Sequence, residues 1–518
     1  MLLNSKYIYI LVILFASVLF ASVTFKKNDI ENIAARDIYD ILSRIYTLRG
    51  YSHGLTGQPV YFSRAGKSSG LIDLYIDDIH YGMPVSDISF INIDHIEKIT
   101  IDETSAAIGG ISVYVYTKDP DNEIPVSKII YRDGFLNFRD LSAIISQKIC
   151  PDASFRLTGE ILDHKDNRET SDNFKYPYSK QNYSLNVTMP EIYTLTPHLD
   201  ISYFAEKKWA LDSDSLFYRP ERSRIALHLN KSSPNFFNRF VAVNINESGT
   251  DQTGIINIYN ELEIKDSLSV IRGRIGFSSE DNSNSSGYSS LAYRLKTKHE
   301  LNARAYLLAS DTQKKIFTLH GGVSLDCKIF ELRTSNGYIY NKGPYTRSFF
   351  ENYVTAERTF NKKLKLLAGY DNITENKRIF YRSGIVLIPV KNTVLQSNYL
   401  LSGSKNKKSC LKNKVVTSIS WSDRYFENDL ELNISVNHIY SEYFIEDQKE
   451  TVNNLNFNLR ARIADLELFF GSDNFLKEFY GFNNRYYRLN DHYKYSTVEN
   501  FEMPGRDEIW GVRWSFYR

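Results

Sequence analysis

From about residue 125 onward, apolar and polar positions alternate along the chain with a period of two. Leu199, Ile201, Tyr203 and Ala205 are interleaved with Asp200, Ser202 and Glu206, and Val241, Val243 and Ile245 with Asn244 and Asn246. Ile256, Ile258, Leu262 and Ile264 alternate with Asn257, Glu261 and Glu263, and the same rhythm returns over 415–422, 432–437 and 455–463. The final stretch, "EIWGVRWSFYR", sets Trp510, Val512, Trp514 and Phe516 against Gly511, Arg513 and Ser515. Successive side chains of a strand point to opposite faces, so this period predicts strands with one apolar and one polar face. Turn clusters such as "DSDS", "NKSSPN" and "SSEDNSNSSG" separate the segments. Roughly 22 segments of about 18 residues, connections included, fit the span, a size within the range of membrane barrels.

Residues 29–118 read differently. Ile38, Ile41, Leu42 and Ile45 have the i, i+3, i+4, i+7 spacing of an amphipathic helix. A glycine-rich loop follows, and then the short strand-like runs "LIDLYIDDI", "HIEKITID" and "GGISVYVYTK". This predicts a small α/β unit with its own core.

The N-terminus, "MLLNSKYIYILVILFASVLFASVTFKK", has one Lys and then an uncharged run from Tyr7 to Phe25, with small residues near its end. That is the pattern of a secretory signal peptide, cut after Ala21 or Ser22. The competing reading is a retained anchor helix, since the run approaches spanning length. The expected organisation is a signal peptide at 1–21, the α/β unit at 22–119, a linker at 120–124 and a transmembrane antiparallel β-barrel at 125–518.

A barrel is preferred over soluble architectures for two reasons. A solenoid would show a fixed internal repeat, and none is found. A large soluble β-protein needs strands that are apolar on both faces, whereas here one face stays Asn, Ser, Asp, Glu, Arg or Lys. Lipid outside and a wet or plugged lumen inside account for that division, and closure removes the edges that hydrocarbon forbids.

Composition narrows the function. With 63 basic and 61 acidic residues the chain is nearly neutral, which argues against nucleic acid as a partner. Tyr (37) and Phe (31) are abundant, as suits strands and membrane interfaces. Mean hydropathy is −0.36, too low for a bundle of membrane helices. Cys150, Cys327 and Cys410 show neither zinc spacing nor a disulfide framework, and the ten His are scattered without a ligand pair. No metal, cofactor or catalytic residue is predicted. There is no GxSxG, and no His stands out as a base.

The order of signal peptide, small α/β unit and long barrel resembles the TonB-dependent outer-membrane receptors. "IENIAARDIYDILSRIYTLRG" is similar to the opening helix of that family's plug. "GQPVYFSRAG", "LIDLYIDDI", "INIDHIEKITI" and "SAAIGGISVYVYTK" resemble the plug's central run. "LELFFGSDNFLKEFYGF" and "MPGRDEIWGVRWSFYR" resemble its closing hairpin, and "IIYRDGFLNFRDLSAII" the first barrel hairpin. The resemblance implies a plug inside a barrel of about 22 strands, within a range of about 16 to 22.

It also assigns positions. Arg64, Gly66, Asp77, Asp78, Gly109 and Gly110 fall on plug motif positions with structural or gating roles. Arg64 is read first as an ion pair to the barrel wall; Asp77 and Asp78 are read as lumen-wall contacts or as loop caps. Asp77-Asp78 stands where the family has Asp-Gly, and Arg64-Ala65-Gly66 where it has Arg-Gly. Ser22, Val23, Thr24 and Phe25 are the candidate for a degenerate TonB box. Trp510, Val512, Trp514 and Phe516 form the C-terminal strand, whose barrel-assembly signal would sit at Phe516, two residues in from the end.

The expected function is uptake of a scarce bulky solute, small molecule or metal chelate, through a plugged barrel in the outer membrane of a two-membrane bacterium. Expected partners are outer-membrane lipid, the barrel-assembly machinery and TonB, with a monomer as the family default. The alternatives are a surface-binding or adhesion protein on the same barrel, and a passive porin.

Overall fold

The computed structural model describes residues 22–516 apart from 52–60, 65–71, 82–87, 103–110, 118–125, 167–175, 210–216, 404–410, 474–495 and shorter stretches. The predicted signal peptide lies outside the described residues. Among those described, 22 antiparallel strands of eight to sixteen residues close into one barrel. The first five are β8 (Val126–Gly134), β9 (Phe138–Cys150), β10 (Ala153–Asp166), β11 (Tyr176–Thr188) and β12 (Thr196–Trp209). Each strand pairs with the next in sequence. The last, Asp507–Phe516, returns to β8 with Ile509 opposite Gly134 and Phe516 opposite Ser127. No spanning strand is left with an open edge, as a barrel in hydrocarbon requires.

The period of two is realised as inside and outside. On β8, Ile129 and Tyr131 are exposed on the outer face, whereas Lys128, Ile130 and Arg132 are buried toward the lumen. On the closing strand Trp510, Trp514 and Phe516 point outward and Arg513 inward.

One strand corrects the expectation that the apolar face always meets lipid. On Phe236–Ser248, Val241, Val243 and Ile245 are buried, while Asn244 and Asn246 are exposed. The reason is local: these three side chains join the plug's own hydrophobic core across the lumen, together with Ala226 and Tyr259 of the neighbouring strands.

Inside the barrel, β1 (Ser22–Lys26), β4 (Asp73–Ile76), β5 (Ile79–His80), β6 (Lys98–Asp102) and β7 (Ser112–Tyr116) form a mixed sheet in the order β1-β6-β7-β4-β5. A separate hairpin pairs β2 (Leu48–Tyr51) with β3 (Tyr61–Arg64). The helical period at 38–45 is realised only in part, as the five-residue helix α2 (Ile38–Leu42), which follows a separate five-residue helix α1 (Lys27–Glu31). The side chain of Asp37 accepts from the backbone of Tyr39 and Asp40 and so starts α2 as a separate helix. Ile38, Ile41 and Leu42 are fully buried against Leu74, Ile99 and Val113 of the same core. Each such side chain contributes roughly 1.5–3 kcal/mol. The plug therefore coheres through its own apolar interior.

Candidate functional site

Where the plug meets the wall, buried ion pairs and hydrogen bonds join the two. The most charged sector of this contact surrounds Glu31, at the end of α1. Lys128 Nζ lies 2.9 Å from the Glu31 carboxylate, Arg460 3.1 Å and Arg513 3.6 Å. These cations come from three strands, β8, Gln448–Ile463 and the closing strand, each at a lumen-facing position of its alternation. Arg460 and Arg513 share a second acid, Glu467 of the wall, with Arg460 at 2.7 Å. Arg460 also donates to the Asn32 side chain at 3.0 Å.

Beside this cluster Asp94, in the 3-10 turn Ile93–His95, pairs with Arg132, which also donates to Asp140 at 2.5 Å. Burial opposes ionisation of Glu31, but Arg513, Lys128 and Arg460 together outweigh it and hold its carboxyl well below the usual range. Arg132 does the same for Asp94 against its burial. Packing here is tight, with a void of only about 10 Å³ among Glu31, Asp94, Lys128, Arg132 and their neighbours.

Two further contacts fix the plug's orientation. Lys414 Nζ donates to the carbonyls of Ser43, Ile45 and Leu48 at 2.7, 2.9 and 2.8 Å. These carbonyls lie at and beyond the C-terminal end of α2, where intrahelical donors run out, so the wall lysine satisfies them. On another side, Tyr259 Oη accepts from the backbone of His80 at 3.1 Å, and Arg274 donates to Tyr75 Oη at 3.1 Å.

His80 Nε2 is 2.6 Å from Asp73 Oδ1, while Ser112 donates to Asp73 Oδ2 at 3.3 Å. The acid stands between serine and imidazole, the reverse of the order by which a histidine activates a nucleophile. Among the described residues no group of three His, Cys, Asp or Glu is placed to hold a metal ion.

The residues singled out by sequence are distributed as follows. Asp77 and Asp78 make the two-residue turn between β4 and β5, with φ of 50° and 65°. Both are left-handed, the conformation that favours the glycine of an Asp-Gly turn. Asp77 accepts from the Thr117 backbone at 2.7 Å and its hydroxyl at 2.6 Å, fastening the turn to the end of β7. Asp78 accepts from Tyr116 Oη at 3.0 Å, and its carbonyl accepts from Arg239 of the wall at 3.1 Å. One aspartate thus caps and the other touches the lumen wall.

Arg64 ends β3, opposite Leu48. Gly66, Gly109 and Gly110 lie outside the described residues. Ser22, Val23, Thr24 and Phe25 are hydrogen-bonded into the plug sheet as edge strand β1, from Ser22 opposite Asp102 to Phe25 opposite Ile99. Glu31, Asp94 and their wall cations were not singled out by sequence. The available signal was the cations on lumen-facing positions, such as Lys128 and Arg132 four apart on one strand face.

No family model matches the chain, and no curated protein does. Solved structures do. The siderophore receptor PirA from Acinetobacter baumannii superposes with a TM-score of 0.74 at 11% identity, over 96% of this chain and 98% of that one. The fold is that of the siderophore receptors. The ferric enterobactin receptor PfeA of Pseudomonas aeruginosa gives a TM-score of 0.73 at 10% identity, over 96% and 98%. The FrpB iron transporter from Neisseria meningitidis gives 0.72 at 8%, over 95% and 99%. At these identities the likeness establishes the fold of the siderophore receptors, a plugged β-barrel, which is the fold that resemblance to the TonB-dependent receptors implied. The neighbours are named as receptors and transporters rather than as enzymes.

Proposed function

We propose that this chain is an outer-membrane receptor that takes up a bulky solute through its barrel, with the plug as a movable gate. The observation that carries this reading is the construction of the plug–wall contact. The plug's apolar interior continues into the wall at Ala226, Val241, Val243, Ile245 and Tyr259, and around Glu31, Asp94 and Lys414 the plug is fastened to the wall by ion pairs and hydrogen bonds. The polar contacts can be exchanged for water when the plug shifts, whereas the apolar sector has to slide or part. The superposed structures support a metal chelate as the solute class, because their names are those of siderophore and iron receptors.

Coupling to TonB would use Ser22–Phe25, which then has to leave β6. In the test, the purified protein and a variant lacking residues 22–28 are offered to the periplasmic domain of the host's TonB. Binding that vanishes with the deletion supports energised uptake; no binding by the intact protein overturns that route.

The pairing of β1 within the sheet favours a second reading, in which the plug is never pulled and the barrel serves as a surface-binding protein or passive pore. Most connections between spanning strands are short; the longest is 474–506, followed by 210–220 and 167–175. Single-channel conductance of the resting protein separates a closed barrel from a pore.

A further inference from the structure

Two stretches of wall of opposite chemistry hold the plug. On one, the plug's apolar core runs on into Ala226, Val241, Val243, Ile245 and Tyr259, from the adjacent strands Glu221–Ser233, Phe236–Ser248 and Thr253–Lys265. All five side chains are buried. On the other, Glu31 meets the cations of β8, Gln448–Ile463 and the closing strand. In the ring, β9 to β12 lie between β8 and Glu221–Ser233. The contacts stay polar as far as β11: Asn92 donates to Ser142 at 3.3 Å, Arg156 to the His95 carbonyl at 3.1 Å and Asn182 to the Phe90 carbonyl at 3.2 Å. At β12 the contact changes character, and Phe204 meets Phe90 with ring centroids 6.3 Å apart.

The two stretches respond differently to separation. When an ion pair opens to water, both ions regain hydration, which offsets much of the attraction lost. Apolar surfaces regain nothing, so parting them costs free energy in proportion to the area exposed. A small shear keeps such surfaces covered. A displaced plug therefore lets go at its charged side before its apolar one.

The plug sheet is strung between them. Its order, β1-β6-β7-β4-β5, puts β4 and β5 toward the apolar wall, where His80 donates to Tyr259 at 3.1 Å and the Asp78 carbonyl accepts from Arg239 at 3.1 Å. The opposite edge is β1, which runs directly into α1 and so to Glu31. A pull on Ser22–Phe25 loads Glu31 within a few residues, but reaches the apolar edge only across β6 and β7.

We infer that the plug turns about the wall at Val241, Val243 and Ile245 and unlatches at Glu31, so that it swings aside while still docked instead of leaving the barrel as a body. This rests on the uptake reading only in requiring a plug that moves; it names the pivot and the side that opens.

Electron–electron double resonance on the full-length barrel in detergent tests it, with Cys150, Cys327 and Cys410 replaced by serine. One spin label sits on the wall at Lys391→Cys, in an exposed connection between strands. The second sits on the plug, either at Asn28→Cys beside the latch or at Asp78→Cys beside the pivot; both positions are exposed. The latch is opened by Glu31→Gln with Asp94→Asn. The Asn28–Lys391 distance should lengthen and broaden, while the Asp78–Lys391 distance keeps its wild-type mean and width. Adding Val243→Ser, which sets a hydroxyl in the apolar contact, should then broaden the second distance as well. If the double variant fails to migrate as a folded barrel, Glu31→Gln alone is measured in the same way. Both distances broadening together on opening the latch would mean that the plug parts as a body, and would overturn the pivot. Neither changing would overturn the latch. No further effect of Val243→Ser would show that the apolar contact is not what holds the second side. TonB does not enter this measurement, so its failure is distinct from that of the uptake test.

Discussion

Glu31 and Lys128 meet at 2.9 Å across the boundary between plug and wall, with side chains 10% and 4% exposed. The acid belongs to a short plug helix and the base to the first barrel strand, so their contact is the plug's docking made local. Arg460 and Arg513 crowd the same carboxylate. Removing the acid therefore takes the ion-pair partner from Lys128 and leaves Arg460 and Arg513 to share Glu467 alone.

Glu31→Gln is expected to loosen the plug, on the scale of about 3–5 kcal/mol found when one member of a buried pair is removed. Glu467 retains part of the cation cluster, so the lower end of that range is expected. The check is limited proteolysis of the plug in the folded barrel, alongside ion conductance. Faster cleavage and a leakier barrel are expected; unchanged behaviour of both would show that the cluster does not hold the plug.

Acid should loosen the same contact, and the direction can be worked out group by group. Glu31 and Asp94 have folded values below their ordinary ones, so their stabilisation is complete above about pH 4.5 and is lost as pH falls through the folded values. His95 is lowered from 6.5 to about 3, and its neutral form is the one the fold accepts. Below pH 6.5 the unfolded state binds a proton that the folded state refuses, so stability declines between 6.5 and about 3. The slopes have the same sign. Plug protection from protease, followed from pH 7 to pH 3, should fall monotonically, and His95→Asn should flatten the upper part of that window. Protection that rises on acidification would contradict the assignment.

Asp77→Ala should destabilise the turn between β4 and β5 by about 1–3 kcal/mol, the range for leaving buried partners unsatisfied. It removes the acceptor for both the backbone and the hydroxyl of Thr117 and puts a Cβ-bearing residue without a polar side chain at φ 50°. Asp77→Asn, which keeps one acceptor and tolerates that φ, should lose less. Thermal unfolding of the plug, followed by protease susceptibility, orders the three proteins. Equal stabilities would mean that the turn is held by its neighbours and not by Asp77.

The architecture was legible where a pattern repeats. Alternation alone is enough to reveal strands, and Trp510, Trp514 and Phe516 face outward as a lipid-facing stripe should. Alternation cannot say which face is inside when the lumen itself contains a hydrophobic body, and so Val241, Val243 and Ile245 were assigned to the wrong side. The docking cluster was not legible because its members are distant in sequence: Glu31 and Arg513 become neighbours only when the barrel closes. The Asp77-Asp78 turn lay between these cases. The departure from Asp-Gly was visible, but which aspartate caps and which peptide meets the wall depends on the hairpin's placement against Arg239.

The seam where the barrel closes offers the last test. Gly511 sits on the closing strand between Arg132 of β8 and Phe469 of the preceding strand. A Cβ there would fall 2.4 Å from the backbone oxygen of Tyr131 and 2.4 Å from the Phe469 ring. The ring can move; the backbone oxygen belongs to the pairing that closes the barrel and cannot move without shifting register. Gly511→Ala should therefore reduce the yield of closed barrel, with an overpacking cost of about 1–3 kcal/mol in whatever does fold. Phe469→Leu introduced with it removes the softer of the two clashes and should restore only part of the loss. The fraction of protein that migrates as a heat-modifiable folded barrel on a denaturing gel reads this directly. Full rescue by Phe469→Leu would place the constraint in the side chain alone, whereas partial rescue places the rest in the backbone contact between the last strand and the first.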